Sequence, residues 1–342
     1  MSKRILILYT GGTIGMIQDP VSGILRPFDL QQILAQVPEI SSFGHQLDAV
    51  AFEEPIDSSN MTPAIWIEMA SIIEQHYATH DGFVILHGSD TMAYTASALS
   101  FLLENLDKCV VLTGSQLPVG HVRTDAKENL ITSIEIAAAC REDGSSMVPE
   151  VCLYFDYQLY RGNRVIKYNA EKFEAFHSPN YPPLAEAGIR IKYHHSAILP
   201  KRSGEFKVHH YMSTAVGSLK LFPGLSEMLL QQILETPGMD VLLLEGFGAG
   251  NAPTAAWFTK ALHAYIKEGG HIVDITQCHG GSVELGKYET SAALLEMGVI
   301  SGHDITFEAA ICKSMFLLGL GYRGDSFAAA FAKSLSGELS KF

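Results

Sequence analysis

Three short apolar runs, each closed by a turn of small or polar residues, do most to limit what this chain can fold into. RILILYT runs into GGTIG, FVILH into GSD, and CVVLT into GSQ. Continuously apolar runs of this length read as strands buried on both faces, the pattern of a parallel sheet. Between them lie TPAIWIEMASIIEQHY, opened by Thr62-Pro63, and TDAKENLITSIEIAAAC, opened by Thr124, both helix-like. The alternation is βαβα, and the fold class it implies is α/β. A fourth strand, VCLYF, leads into DYQLYRGNRVIKYNAEKF, a polar stretch without apolar periodicity that reads as an exposed functional loop.

At 342 residues the chain is longer than one hydrophobic core usually supports, so two domains are expected. SPNYPPL and the mixed stretch from His194 to Met212 break the pattern, which restarts with VLLLEGFGAGNAP and HIVDITQC. Helices are expected around TSAALLEMG and TFEAAICKSMFLLGL. The reading is a larger N-terminal α/β domain over residues 1–195 with a mostly parallel sheet, a linker over 196–212, and a smaller parallel-sheet domain over 213–342. Hydrophobic residues make up 47% and charged ones 18%, which argues against long disorder. A net charge of −13 disfavours nucleic acid and anionic membranes, both polyanions held by Lys and Arg.

The apolar run after MSKR is too short to span a membrane and meets a Gly-rich turn without a cleavage pattern, so a cytoplasmic location is expected. Cys109, Cys140, Cys152, Cys278 and Cys312 are odd in number and scattered, the pattern of reduced thiols. His194-His195 and His209-His210 are adjacent pairs, which a strand would point to opposite faces. No HExxH or similar ligand set occurs, and neither a metal nor another cofactor is expected.

In doubly wound sheets ligands bind beyond the carboxyl ends of the strands. That places weight on Thr10 and Thr13, on Ser89, Asp90 and Thr91, and on Thr113 and Ser115. TGGTIG does not match the dinucleotide pattern G-x-G-x-x-G; Gly11 and Gly12 instead allow a tight turn that presents Thr13 beside backbone N–H groups. Alone, Thr13 reads as a structural hydroxyl, Ser89-Asp90 as a helix N-cap, and Lys167 as a solvated loop charge. Together they also fit a nucleophile with a proton-handling cluster.

TGGTIG, DSSNMTP, HGSDTMAYTA, LTGSQLP, RTDAKENL, RGNRVIK, GFGAGNAP and KYETSAALLEMGVISGHDITFEAA, in this order and spacing, resemble the type I asparaginases over nearly the whole chain. The resemblance implies hydrolysis of L-asparagine to aspartate and ammonia through a threonine-linked acyl-enzyme. It matches Thr13 to the nucleophile and Ser89, Asp90 and Lys167 to the second catalytic constellation. Ser58, Ser59, Gly88, Ser89 and Asp90 match the substrate-binding positions, and Asn251 a residue that reaches the neighbouring subunit's site, although Asn251 also reads as a turn residue. An intimate homodimer is implied, with two dimers pairing into a tetramer in many members.

Several positions depart from that family. Ser89 stands where Thr is usual, losing the methyl that restricts the rotamer. The lid stretch MIQDPVSGILRPF lacks its usual tyrosine and has Ile24 near that place, whereas Tyr288 matches a tyrosine that some relatives present from the second domain, to activate Thr13 or simply to pack. Glu245 and Ile166 replace the Arg and Thr of an allosteric asparagine site, although Cys278 is kept, so activation of that kind is expected to be weak or absent. Alternative functions are a glutaminase or dual amidase, the amidase subunit of a tRNA-dependent amidotransferase, and an amino-acid sensor that binds without cleaving.

Overall fold

The computed structural model describes the chain except for residues 1, 19–24, 28–32, 34, 288 and 341–342. Ile24 and Tyr288 therefore lie outside the described residues. The chain divides into two compact units, Met1–His210 and Tyr211–Phe342. No helix among the described residues is long and apolar enough to cross a membrane.

The first unit is built on β1 (Arg4–Tyr9), β2 (Gln46–Ala51), α1 (Pro63–His76), β3 (Gly82–Leu86), α2 (Met92–Leu102), β4 (Cys109–Thr113), α3 (Ala126–Ala138) and β5 (Val151–Phe155). Every residue of β3, β4 and β5 is buried, as the continuous apolar runs require. Pro63 occupies the first turn of α1, where its missing N–H costs nothing, and Trp66, Met69, Ala70 and Ile73 form the buried stripe. The strands continue with β6 (Gln158–Arg161), β7 (Ile166–Lys167), β8 (Phe176–His177), β9 (Ala185–Glu186) and β10 (Lys192–Tyr193). Eight of them form one sheet in the order β10-β9-β6-β5-β4-β3-β1-β2, parallel from β2 through β5 and antiparallel beyond.

Register sets the height of the site. Tyr9 pairs with Leu86 and Leu86 with Thr113, so the chain leaves β1, β3 and β4 at one level. Because β2 lies on one side of β1 and β3 on the other, the strand order reverses at β1, a topological switch point of the kind at which α/β sheets bind ligands.

The segment after β5 differs from its expected exposure. Leu159, Tyr160, Arg161, Asn163, Arg164 and Val165 are buried, and β6 folds back on β5 through a turn with left-handed φ of 47° and 65° at Asp156 and Tyr157. The segment is polar yet buried because its charge is paired. Arg161 Nε donates to Glu150 Oε2 at 2.7 Å, and its guanidinium lies 4.2 Å from the Tyr181 ring centroid. Residues just past 195 also pack within this unit: Ala197 O accepts from Arg161 Nη2 at 2.8 Å, and Val208 pairs with Leu103.

The second unit comprises β11 (Val216–Lys220), α4 (Glu227–Leu234), β12 (Val241–Gly246), α5 (Ala256–Lys267), β13 (His271–Thr276), α6 (Glu289–Met297), β14 (Ile300–Ser301), α7 (Phe307–Gly319) and α8 (Gly324–Phe331). Its sheet is parallel throughout, in the order β11-β12-β13-β14. Leu242, Leu244, Phe258, Leu262 and Ile272 are fully buried at its centre.

Candidate active site

Three loops meet at the carboxyl edge of the first sheet, and glycine makes their approach possible. Gly12 has φ 89°, and a methyl group added to it would fall 2.5 Å from both Cα and N of Gly88. A methyl on Gly88 would in turn fall 2.6 Å from Ser58 Oγ. Backbone therefore lies directly on backbone, which any larger residue would prevent. Thr13 and Ser89 each follow one member of the Gly12–Gly88 contact, and Ser58 sits against the other side of Gly88.

Thr13 opens a single 3-10 turn, Thr13–Gly15, and is half-buried. Among the described residues its hydroxyl has no hydrogen-bond partner. Ser58 is buried, whereas Ser59 is exposed and its N–H donates to the Asp57 carboxylate at 2.9 Å. Thr91 Oγ1 donates to Ser58 O at 2.7 Å, tying the loop after β2 to the loop after β3.

Ser89 and Asp90 do not cap the following helix. Thr91 holds the N-cap position of α2, and their side chains turn instead to Lys167. Lys167 Nζ donates to Ser89 Oγ at 2.9 Å and to Asp90 Oδ1 at 2.5 Å. The lysine side chain is 18% exposed and the aspartate 61%, so the pair has one shielded end and one open to solvent. Lys167 is held by the β7–β8 hairpin, where it pairs with Phe176, whose ring is buried 5.1 Å from that of Phe155 at the end of β5.

Beneath Gly88 lies His87, which is fully buried. Its Nδ1 meets Gly88 O at 2.6 Å, and because a carbonyl only accepts, Nδ1 carries the hydrogen. Nε2 then accepts from Thr95 Oγ1 at 2.8 Å, and Thr95 accepts from Trp66 Nε1 at 2.9 Å. Burial pushes His87 down to about 4, which keeps the ring neutral and its tautomer fixed. His87 and Thr95 carry no signal in the sequence, since their pairing is set by the fold and not by spacing.

The structure thus brings Thr13, Ser58, Gly88, Ser89, Asp90 and Lys167 to one edge. Asn251 belongs to the second unit, where its backbone closes the turn after β12 through reciprocal hydrogen bonds with Phe247, each 2.8 Å. Glu245 is half-buried on β12, and burial raises its carboxyl. Cys278 is exposed, its N–H donating to Thr276 Oγ1 at 3.0 Å. Among the described residues no group of three or more His, Cys, Asp or Glu is placed to hold a metal ion.

Residues 4–199 match the model of the asparaginase N-terminal domain, and residues 215–331 that of the glutaminase/asparaginase C-terminal domain. The chain is 42% identical to L-asparaginase 1 of Escherichia coli K12 over 99% of this chain and 98% of that one. Its structure is similar to that of L-asparaginase I from Vibrio cholerae, with a TM-score of 0.89, 38% identity and full coverage of both chains. It is also similar to the thermostable L-asparaginase from Thermococcus kodakarensis, with a TM-score of 0.90, 30% identity, and coverage of 99% of this chain and 100% of that chain.

Proposed function

From the premise that this chain belongs to the asparaginase family and is an amidohydrolase, we propose that it hydrolyses L-asparagine to L-aspartate and ammonia through an acyl-enzyme on Thr13. The observation that carries the reading is Lys167 bonded to both Ser89 and Asp90, one residue away from where the Gly12 and Gly88 backbones touch.

In the first step Thr13 Oγ1 attacks the side-chain amide carbon. A C–O ester bond forms, the C–N bond breaks, and the hydroxyl proton leaves with the amide nitrogen as ammonia. In the second step water adds to the ester carbon and the threonine oxygen leaves, regaining a proton. A neutral hydroxyl is a weak nucleophile, so both steps need a group that holds protons near the reacting atoms. Lys167, Ser89 and Asp90 are assigned that role, with the ammonium also stabilising negative charge on the carbonyl oxygen. Asp90 holds the substrate's α-ammonium, Ser58 and Ser59 its α-carboxylate, and Gly88 leaves the room they need. Tyr288 is assigned to orient Thr13.

The assembly belonging to this reading is a cytoplasmic homo-oligomer, an intimate dimer or a dimer of dimers, in which Asn251 reaches the neighbouring site. A carboxylate at Glu245 repels another carboxylate, so activation by a second asparagine is absent or weak. One methylene separates asparagine from glutamine, worth only about 1–3 kcal/mol in discrimination, so a glutaminase or dual amidase is the nearest alternative, decided by comparing kcat/KM for the two substrates.

Ammonia release by the purified protein tests the activity. A Thr13→Ala variant is expected to lose turnover and retain its fold. Full turnover in that variant would remove Thr13 as the nucleophile, and tight asparagine binding without ammonia in the wild type would make the protein a sensor.

A further inference from the structure

Ser89 carries less restraint than a threonine would, yet its hydroxyl direction decides what it does for an attacking water. Gln116, in the loop after β4, supplies a restraint. Its Nε2 donates to Lys172 O at 2.9 Å and to Ala170 O at 3.4 Å. Both partners are carbonyls that only accept, so the amide orientation is fixed and Oε1 faces Ser89. Ser89 Oγ lies 3.5 Å from Oε1, a long contact of the kind that shortens when substrate closes a site.

The loop under Gln116 is itself held. Its N–H and that of Leu117 donate to the Asp125 carboxylate at 2.9–3.1 Å, and Thr124 Oγ1 donates to Leu117 O at 3.0 Å. On the other side Asn169 Oδ1 accepts from the N–H groups of Glu171 and Lys172 at 2.8 and 2.9 Å, shaping the hairpin loop next to Lys167. Gln116 is thus the bridge between a rigid strand end, the lysine's hairpin and Ser89.

We propose that Gln116 is a positioning residue that turns the Ser89 proton away from the pocket, leaving the serine oxygen to accept from Lys167 and from the water that attacks the acyl-enzyme. A hydroxyl has one hydrogen and two lone pairs. With the hydrogen on Gln116 and one lone pair on Lys167, the second lone pair accepts from water and aims the water oxygen at the ester carbon. This inference rests on the acyl-enzyme on Thr13, and it assigns Gln116 to the second half of the reaction.

Added hydroxylamine separates the two halves. It competes with water for the acyl-enzyme and, as the stronger nucleophile, needs less positioning. The ratio of β-aspartyl hydroxamate to aspartate therefore reports how well water is aimed, while kcat/KM for ammonia release reports acylation alone. In Gln116→Met the ratio is expected to rise about 3- to 10-fold, the rate equivalent of one neutral hydrogen bond, with kcat/KM for ammonia lowered by a smaller factor. Gln116→Leu should behave alike if the methionine variant does not fold. Adding Ser89→Thr to either should lower the ratio again, because the extra methyl restores the rotamer restraint.

An unchanged ratio in a folded variant, whatever its total turnover, would overturn the proposal, since a merely loosened loop slows attack by water and by hydroxylamine together. If the wild type forms hydroxamate and only the variant's ratio fails to move, Gln116 alone is wrong. If the wild type forms none, the acyl-enzyme reading falls and this inference falls with it.

Discussion

Replacing Lys167 by methionine separates catalysis from stability, because the structure assigns the two effects different sizes. The ammonium lies 2.5 Å from Asp90, but the aspartate side chain is 61% exposed, so water screens the pair. Pairs of that kind contribute about 0–1 kcal/mol, which in a chain of this size is a change in Tm of about 4 °C or less. The contribution expected from its proposed proton-holding role is much larger. A positioned proton-transfer group typically supplies about 10²–10⁴-fold in rate, or about 3–5 kcal/mol of barrier. Lys167→Met is therefore expected to lower kcat for ammonia release by at least about 10²-fold, while calorimetry shows nearly wild-type unfolding. Activity within tenfold of wild type would refute the assignment, as would a collapse in Tm large enough to account for the loss.

Other consequences follow from buried charge. Lys313 and Glu338 are both fully buried at 2.6 Å, and the lysine also donates to Phe331 O and Lys333 O; Glu338→Gln leaves that ammonium uncompensated and is expected to cost about 3–5 kcal/mol in a urea titration. His87 is held at about 4 by burial, below its ordinary 6.5, so the unfolded state binds its proton first. The contribution of His87 should consequently fall by up to about 3 kcal/mol as pH drops from 6.5 to 4, and a His87→Gln variant should lose less stability than the wild type over that interval. Asp274 has the opposite sign. Burial, outweighing the nearby Gly246 N–H, raises its carboxyl from 3.8 to about 7, so its contribution is complete below 3.8 and is lost as pH rises through 7. Asp274→Asn should therefore raise Tm at pH 7 relative to pH 4 when compared with the wild type; an unchanged difference between the two pH values would refute the assignment.

The parts of the fold visible in the sequence were those where one residue pattern has one physical solution. Strands β3, β4 and β5 are apolar at nearly every position because both faces are covered. The turn residues after β1 and β3 marked the candidate site because a parallel sheet delivers its strand ends to one edge. What escaped was burial achieved by pairing. Arg161 and Glu150 satisfy each other inside the first unit, so β6 reads as a polar loop. Helix α2 buries Thr95, Ser97 and Ser100 along with its apolar residues and so lacks the one-sided stripe that identifies a surface helix. Lys167 reads as a solvated charge because its partners are 77 and 78 residues away, and Gln116 gives no signal because its partners are mostly backbone carbonyls.

The most direct test is to mix the enzyme with asparagine, quench in acid within one turnover, and locate any covalent adduct by peptide mass spectrometry. An aspartyl ester on the peptide containing Thr13, lost in Thr13→Ala, is the expected result. An adduct on another residue, or undiminished turnover by Thr13→Ala, would contradict the account.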